Sequence, residues 1–183
     1  MKELDAATGQ KLRSLLDNHW VRLGKAWHPA GRWLALPDYD GSVLLWDATT
    51  GAPIQAPQLR HGGPATSVAF SPSGGRLASG GLDRTVTIWD TATWQELRTI
   101  HDPTGGVMSV AWSPDEQRVA WAGRDATIKV GNPATGEILD TLRGHTSWVV
   151  GVVFSRDGRW IVSGSLDGTL KIWDAPPLPK ASP

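Results

Sequence analysis

Along residues 141–174, TLRGHTSWVVGVVFSRDGRWIVSGSLDGTLKIWD, short runs rich in Val, Ile and Trp are broken at Arg156-Asp157-Gly158 and again at Asp167-Gly168. Runs of that length between turn residues predict strand, turn, strand, turn, strand. In Thr169-Leu170-Lys171-Ile172 apolar and polar residues alternate, and Thr85-Val86-Thr87-Ile88 repeats the alternation 84 residues earlier. One face of each strand is therefore predicted to be buried and the other polar. The pattern recurs along the chain, because Asp5, Asp47, Asp90, Asn132 and Asp174 follow one another at intervals of 42 or 43 residues. Aligning the copies puts Trp27, Phe70, Trp112 and Phe154 at one position, and Leu34, Leu77, Val119 and Ile161 at another. A single small sheet cannot bury both of its faces, so each unit is predicted to pack an apolar layer on its neighbour.

The segments linking the units, such as DAATGQKLRSL from Asp5, DTATWQELRTI from Asp90 and NPATGEILDTL from Asn132, read as a further strand after a Thr-Gly or Thr-Trp turn. Leu12, Leu15, Leu16 and His19 would by themselves fit a helical stripe. Their counterparts Glu96–Ile100 and Glu137–Leu142 occupy slots too short for a stable helix, which favours the strand. The predicted organisation is one domain over residues 1–183: an outer strand at 5–16, units at 17–47, 48–90, 91–132 and 133–174, and a disordered tail at 175–183.

Composition narrows the functional classes. Eighteen basic residues balance eighteen acidic ones, so no net field gathers polyanions, and neither nucleic acid nor an anionic membrane is expected as a partner. No cysteine is present, which excludes disulfides and thiolate metal sites. The five histidines do not pair at metal-ligand spacing on one element, so no metal is expected, and no cofactor. GGRLASGG at 74–81 has the glycine spacing of a phosphate loop, but Gly81 stands where the lysine is needed. The longest apolar run, WVVGVVF at 148–154, is far short of a membrane span, and a cytoplasmic location is the expectation.

Gly144-His145, Phe154-Ser155-Arg156-Asp157-Gly158 and SGSLDGTLKIWD from Ser163 to Asp174, on a period of 42 to 43 over four units, resemble the WD-repeat β-propeller family. The resemblance implies an all-β propeller of four-stranded antiparallel blades, four per chain. Each repeat would then supply the outer strand of one blade and the inner three of the next. It also implies closure: residues 5–16 lack a blade of their own and the last unit lacks an outer strand, so the N-terminal strand is expected to complete the last blade. Closure within one chain, between two chains as an eight-blade homodimer, or an open arc of a longer protein are all compatible with the sequence. Units one and three depart from the pattern, with Lys25 where Val68, Val110 and Val152 stand, Leu36 for a serine, and Gly131-Asn132 for Trp-Asp.

His61, Ser79, Asp83 and Trp89 recur as His145, Ser163, Asp167 and Trp173. Each set contains the Ser, His and Asp of a hydrolase triad. The resemblance implies instead an internal hydrogen-bonded network, and nothing in the sequence supplies an exposed nucleophile elbow. No catalytic residue is assigned. Trp46, Trp89, Trp173, Trp27 and Trp112 are expected in the core. Trp33 and Trp160 share a position with Arg76 and Arg118, which suggests a partly exposed face. By the family's alignment a rim is expected at Trp148, Val150 and Leu166, Met108 and Arg124, Pro64, Thr66 and Leu82, and Leu23 and Tyr39. This mostly apolar set suits a peptide or protein segment with an apolar anchor. The expected function is a non-catalytic protein-binding scaffold, or else an assembly unit that works only as an eight-blade dimer.

Overall fold

A computed structural model of the chain describes residues 2–4, 11–14, 24–55, 59–102 and 104–175, with side chains from residue 24 onward. The described elements are sixteen strands with no helix among them: β1 Lys2–Leu4, β2 Lys11–Ser14, β3 Ala26–Trp27, β4 Trp33–Pro37, β5 Val43–Asp47, β6 Ala65–Phe70, β7 Arg76–Gly81, β8 Thr85–Asp90, β9 Glu96–His101, β10 Val107–Trp112, β11 Val119–Gly123, β12 Thr127–Gly131, β13 Ile138–Arg143, β14 Val149–Phe154, β15 Trp160–Ser165 and β16 Leu170–Asp174. They form four antiparallel blades in chain order, β3-β4-β5, β6-β7-β8-β9, β10-β11-β12-β13 and β14-β15-β16. The all-β architecture of four blades is the one the resemblance implies. β9 comes from the segment after the Asp90 turn yet completes the sheet of β6–β8, pairing Val86 with Ile100. Along the outer edge of the first blade the described residues make two bridges, Pro53 to Trp46 and Arg60 to Ser42.

The turns that carry the repeat are built by one local device. Asp47 Oδ1 accepts from the Thr49 and Thr50 amides at 2.8 and 3.0 Å, Asp90 from Ala92 and Thr93, and Asn132 from Ala134 and Thr135. A short acceptor side chain that caps its own turn is why Asp or Asn marks each interval. Gly51 and Gly136 then take φ values of 69° and 80°, and Trp94 takes 57° at the same step of the second blade. The Trp94 ring is buried and lies 5.2 Å from that of Trp33, packing that offsets the backbone strain.

Three apolar clusters hold the blades together, each lying between consecutive blades. Leu45, Val43 and Ala35 of the first meet Val68, Leu77 and Trp89 of the second. Val86, Ile88 and Ile100 of the second meet Val110, Trp112 and Val119 of the third. Ile128 and Val130 of the third meet Val149, Val152 and Ile161 of the fourth. Polar contacts fix the spacing: Ser67 Oγ accepts from Val110 N at 3.2 Å, Ser109 Oγ from Val152 N at 3.3 Å, and the Trp112 indole donates to the Ala69 carbonyl at 3.0 Å. An added Cβ at Gly80 would come within 2.5 Å of the Val107 side chain, so the approach of the second and third blades requires glycine there.

Four expectations change. The N-terminal strand does not complete the last blade: β2 pairs with β1, Lys2 opposite Ser14, and β16 has β15 as its neighbour in a three-stranded sheet. β2 takes as its partner β1, its neighbour in the chain. Residues 5–10 and 15–16 of the expected strand lie outside the described residues. Trp27 is 53% exposed rather than core. Its counterparts Phe70, Trp112 and Phe154 reach back onto the preceding blade, and among the described residues no blade stands before the first. The face shared by Trp33, Arg76, Arg118 and Trp160 is partly exposed, as expected, except at Arg118, which is buried with its guanidinium 5.5 Å from the Phe154 ring; Arg76, half-buried, stacks 4.7 Å from Trp112 while bonding Glu116 Oε2 at 3.2 Å. Ala175, placed in the tail, is buried, with its amide on the Arg159 carbonyl and its carbonyl accepting from Arg118 at 3.0 Å. Residues 176–183 lie outside the described residues.

If stacking carries the stability, Ile88→Ala, which empties a fully buried site between two blades, should cost about 2–5 kcal/mol. Leu97→Ala on the exposed outer strand should stay within about 0.5 kcal/mol. Equilibrium urea unfolding measures both, and equal losses would contradict the stacked arrangement.

Candidate functional site

In the second blade the Trp89 indole donates to Ser79 Oγ at 2.8 Å, and that hydroxyl lies 2.8 Å from His61 Nε2. His61 Nδ1 faces Asp83 at 3.2 Å and the Thr85 hydroxyl at 2.8 Å. The fourth blade repeats the relay: Trp173 Nε1 to Ser163 Oγ at 2.8 Å, Ser163 to His145 Nε2 at 2.8 Å, and His145 Nδ1 to Asp167 at 2.7 Å. Assigned from this network, Nδ1 carries the proton and donates to the carboxylate, while Nε2 accepts from serine. Burial pushes the His61 ring below its ordinary 6.5, against the opposing pull of Asp83, so the ring stays neutral. Burial raises the Asp83 carboxyl, but His61, Thr85 and the Gly62 amide outweigh it and hold it low. Asp167 is held well below the ordinary range, first by the Thr169 hydroxyl and then by the Thr146 amide and His145. Neither set can act as a hydrolase triad. Ser79 and Ser163 are 0% and 1% exposed, and each oxygen already accepts an indole N–H, so no substrate carbonyl can reach them.

The third blade solves the same problem with different residues. Trp121 stands at the serine position and Gly131 at the tryptophan position. The Trp121 ring from the adjacent strand fills the vacated slot: an added Cβ at Gly131 would lie 2.8 Å from it. Its indole donates to Asp102 at 2.8 Å, one residue ahead of the position of His61 and His145. Lys129 then binds Asp102 at 2.8 Å and also Asp125 and Thr104, with its side chain 4% exposed and that of Asp102 0%. The exchange of Ser and Trp for Trp and Gly is visible in the aligned repeats, where each odd residue alone reads as loss of the motif. In the first blade Leu36 is buried at the serine position, and Asp40 turns to the Ser42 amide and hydroxyl at 2.8 and 2.6 Å.

Above these networks lies the expected rim. Three backbone bonds repeat across it, Leu82 N to Pro64 O at 2.9 Å, Arg124 N to Gly106 O at 3.0 Å and Leu166 N to Trp148 O at 2.9 Å. Leu166 is 62% exposed, Tyr39 58%, and Trp148 and Val150 41% each. The Arg124 guanidinium, itself exposed, lies 4.4 Å from the Trp148 ring across the blade boundary. Met108, Pro64 and Leu82 are half-buried. Thr66 does not belong to this surface: it is buried, with its hydroxyl 2.8 Å from the Gly80 and Val107 carbonyls, tying the second blade to the third. Leu23 lies outside the described residues. The inner strands of all four blades line an open groove of about 410 Å³ that includes Lys25, Val68, Val110 and Val152.

A sequence profile described as "WD domain, G-beta repeat" matches residues 10–47, 56–90, 94–130 and 136–174. The chain belongs to the WD-repeat family. Among curated proteins it is similar to U3 small nucleolar RNA-associated protein 7 of Saccharomyces cerevisiae, 30% identical over 107 residues covering 58% of this chain and 19% of that protein. It also resembles cell division cycle 20.1, cofactor of APC complex, of Arabidopsis thaliana, 37% identical over 33% of this chain and 14% of the relative. The ribosome biogenesis protein YTM1 of Podospora anserina is 32% identical over 33% of this chain and 15% of its own length. The chain spans less than a fifth of each of these relatives. Read as WD repeats, the second and fourth units carry the full polar set and the third an alternative to it.

Two expectations follow from these networks. Trp121→Ser should cost about 3–5 kcal/mol by opening a cavity and removing the indole donor from buried Asp102, which keeps Lys129, and Gly131→Trp alone should overpack. The double variant should be more stable than Trp121→Ser, a coupling that a denaturation cycle reads directly; strictly additive losses would contradict the shared slot. For His61 the lowered pKa favours the neutral folded form. Its stabilising contribution is therefore complete above 6.5 and is lost as pH falls below that value. His61→Gln should melt lower at pH 7.5 but lose less between pH 7.5 and about 5.5 than the parent chain. Parallel melting curves for the two would refute this.

Proposed function

We propose that this WD-repeat chain is a non-catalytic scaffold that binds a peptide or protein segment on the rim carrying Trp148, Arg124, Met108, Leu82 and Tyr39. The observation that carries the reading is the Arg124–Trp148 pair. An aromatic plane held by a cation across a blade boundary offers a rigid apolar surface with one charge at its edge. Exposed Leu166 and Val150 extend that surface, and it suits an extended segment with an apolar anchor and a neighbouring acidic group. The names of the relatives, a small nucleolar RNA-associated protein and a cofactor of the APC complex, describe members of assemblies and support a role in binding proteins.

The test begins with a peptide library screened against the full chain. Titration of the best binder by calorimetry should then show Trp148→Ala losing about 2 kcal/mol or more, with Leu97→Ala unchanged. Hydrogen exchange should be slowed by the peptide at the loops carrying residues 82, 124, 148 and 166. A footprint confined to β9 and β13 would overturn the rim as the site.

A further inference from the structure

The fourth blade exposes a face that its repeats keep covered. Val86 and Ile88 of the second blade are fully buried under the third, and Ile128 and Val130 of the third are buried under the fourth. At the same two repeat positions of the fourth blade, Leu170 is 78% exposed and Ile172 70%. Val153 beside them is 57% exposed, although its counterpart Ala69 packs against the third blade and accepts the Trp112 indole at 3.0 Å. Trp160 is 44% exposed at the position where Arg76 and Arg118 each stack on the aromatic ring of the next blade.

The missing half of this interface is present at the other end of the same chain. Trp27 stands at the position of Phe70, Trp112 and Phe154, the rings that press on a preceding blade, and it is 53% exposed, with no preceding blade among the described residues. We propose that a second copy of this chain seats its first blade on the fourth blade's bare face. Trp27 of that copy lies against Val153 and Trp160, with its indole addressed to the Val153 carbonyl as Trp112 addresses Ala69. Room exists for the one misfit residue. Lys25 replaces the buried valine of the other blades, and it would stand opposite Gly151, where an added Cβ meets nothing within 4 Å. The serine clasp of the inner blades is lost at Gly151, as it is at Gly24, where the first and second blades pack without it.

The contact is head to tail, and two of them related by a two-fold axis return to the starting copy, so the assembly closes at two chains. It requires no exchange of N-terminal strands and does not rest on the rim reading. Burial of Leu170, Ile172, Val153, Trp160 and Trp27 is the driving force, and a contiguous apolar face of this kind marks an interaction surface.

Light scattering on the purified full chain tests it. The expected mass is twice the 19.7 kDa of one chain. Ile172→Asp should halve it to that of a single chain, as should Trp27→Asp. Circular dichroism should be unchanged in both, because each side chain is exposed within the single chain. Mixing the two variants should restore the doubled mass, since the pair retains one intact contact between the fourth blade of one and the first of the other. A parent chain of single mass would overturn the proposal, as would an Ile172→Asp variant that keeps the doubled mass. A mixture that stays at single mass would also overturn it, by assigning the two patches to separate surfaces.

Discussion

A sheet of three or four short strands has two faces and no means of covering either, and every other feature of this chain answers to that constraint. Burial of Ile88, Ile128 and Leu45 is supplied by the next blade along, so each blade is at once core for its neighbour and dependent on it. Stability in such a stack is the sum of nearest-neighbour interfaces rather than the property of one central core. The contacts crossing each boundary share the work. The apolar clusters supply the driving force, while the Ser67 and Ser109 hydroxyls and the Arg76 and Arg118 stacks set how closely and at what angle the sheets approach.

The polar networks serve the same end from within the blade. A strand edge and an indole N–H placed in the interior each need a partner, and a buried group left unmatched costs about 1–3 kcal/mol. The second and fourth blades satisfy theirs through Trp, Ser, His and Asp in series. The third keeps the indole but brings it from the neighbouring strand, ends it on Asp102, and balances that carboxylate with Lys129. Because the volume is conserved and each polar atom named here is matched, two unlike residue sets support the same blade. An ion pair this buried is stable only while both partners stay, whereas the His61 relay, its ring kept neutral by burial, holds at any pH above the ordinary histidine range.

Function enters where the repeat's internal demands stop. Positions that face the next blade or the polar relay are constrained by packing, and those at the loop tips are not. Tyr39, Leu82, Arg124 and Leu166 put three kinds of side chain at a single repeat position, while the backbone bond there recurs in the last three units. The two end faces are a separate freedom. Four blades joined by three interfaces leave apolar residues bare on the two end faces, and their chemistry follows the repeat rather than the solvent.

Period-two alternation, turn residues and the 42 to 43 residue interval were enough to predict the strands and the four repeated units, and the resemblance to WD repeats implied the blades and the internal networks of His61 and His145. Each of those depends on local chemistry: turns form from a few adjacent residues, and a polar set repeated whole implies a repeated internal partner. Burial is another matter, because it belongs to the neighbour. Trp27 and Trp112 share a repeat position, yet one is exposed and the other buried, because only one of them has a blade in front of it. Arg118 and Trp160 share another, and there the arginine is the buried one, covered by the Phe154 ring, while the tryptophan faces solvent. Thr66 reads as a rim residue until the third blade closes over its hydroxyl, and Trp121 reads as a lost motif until the bare Cα of Gly131 is seen to accept its ring. The sequence alone determined what each blade is; which of its residues face water was decided by the order in which the blades stack and by where the stack ends.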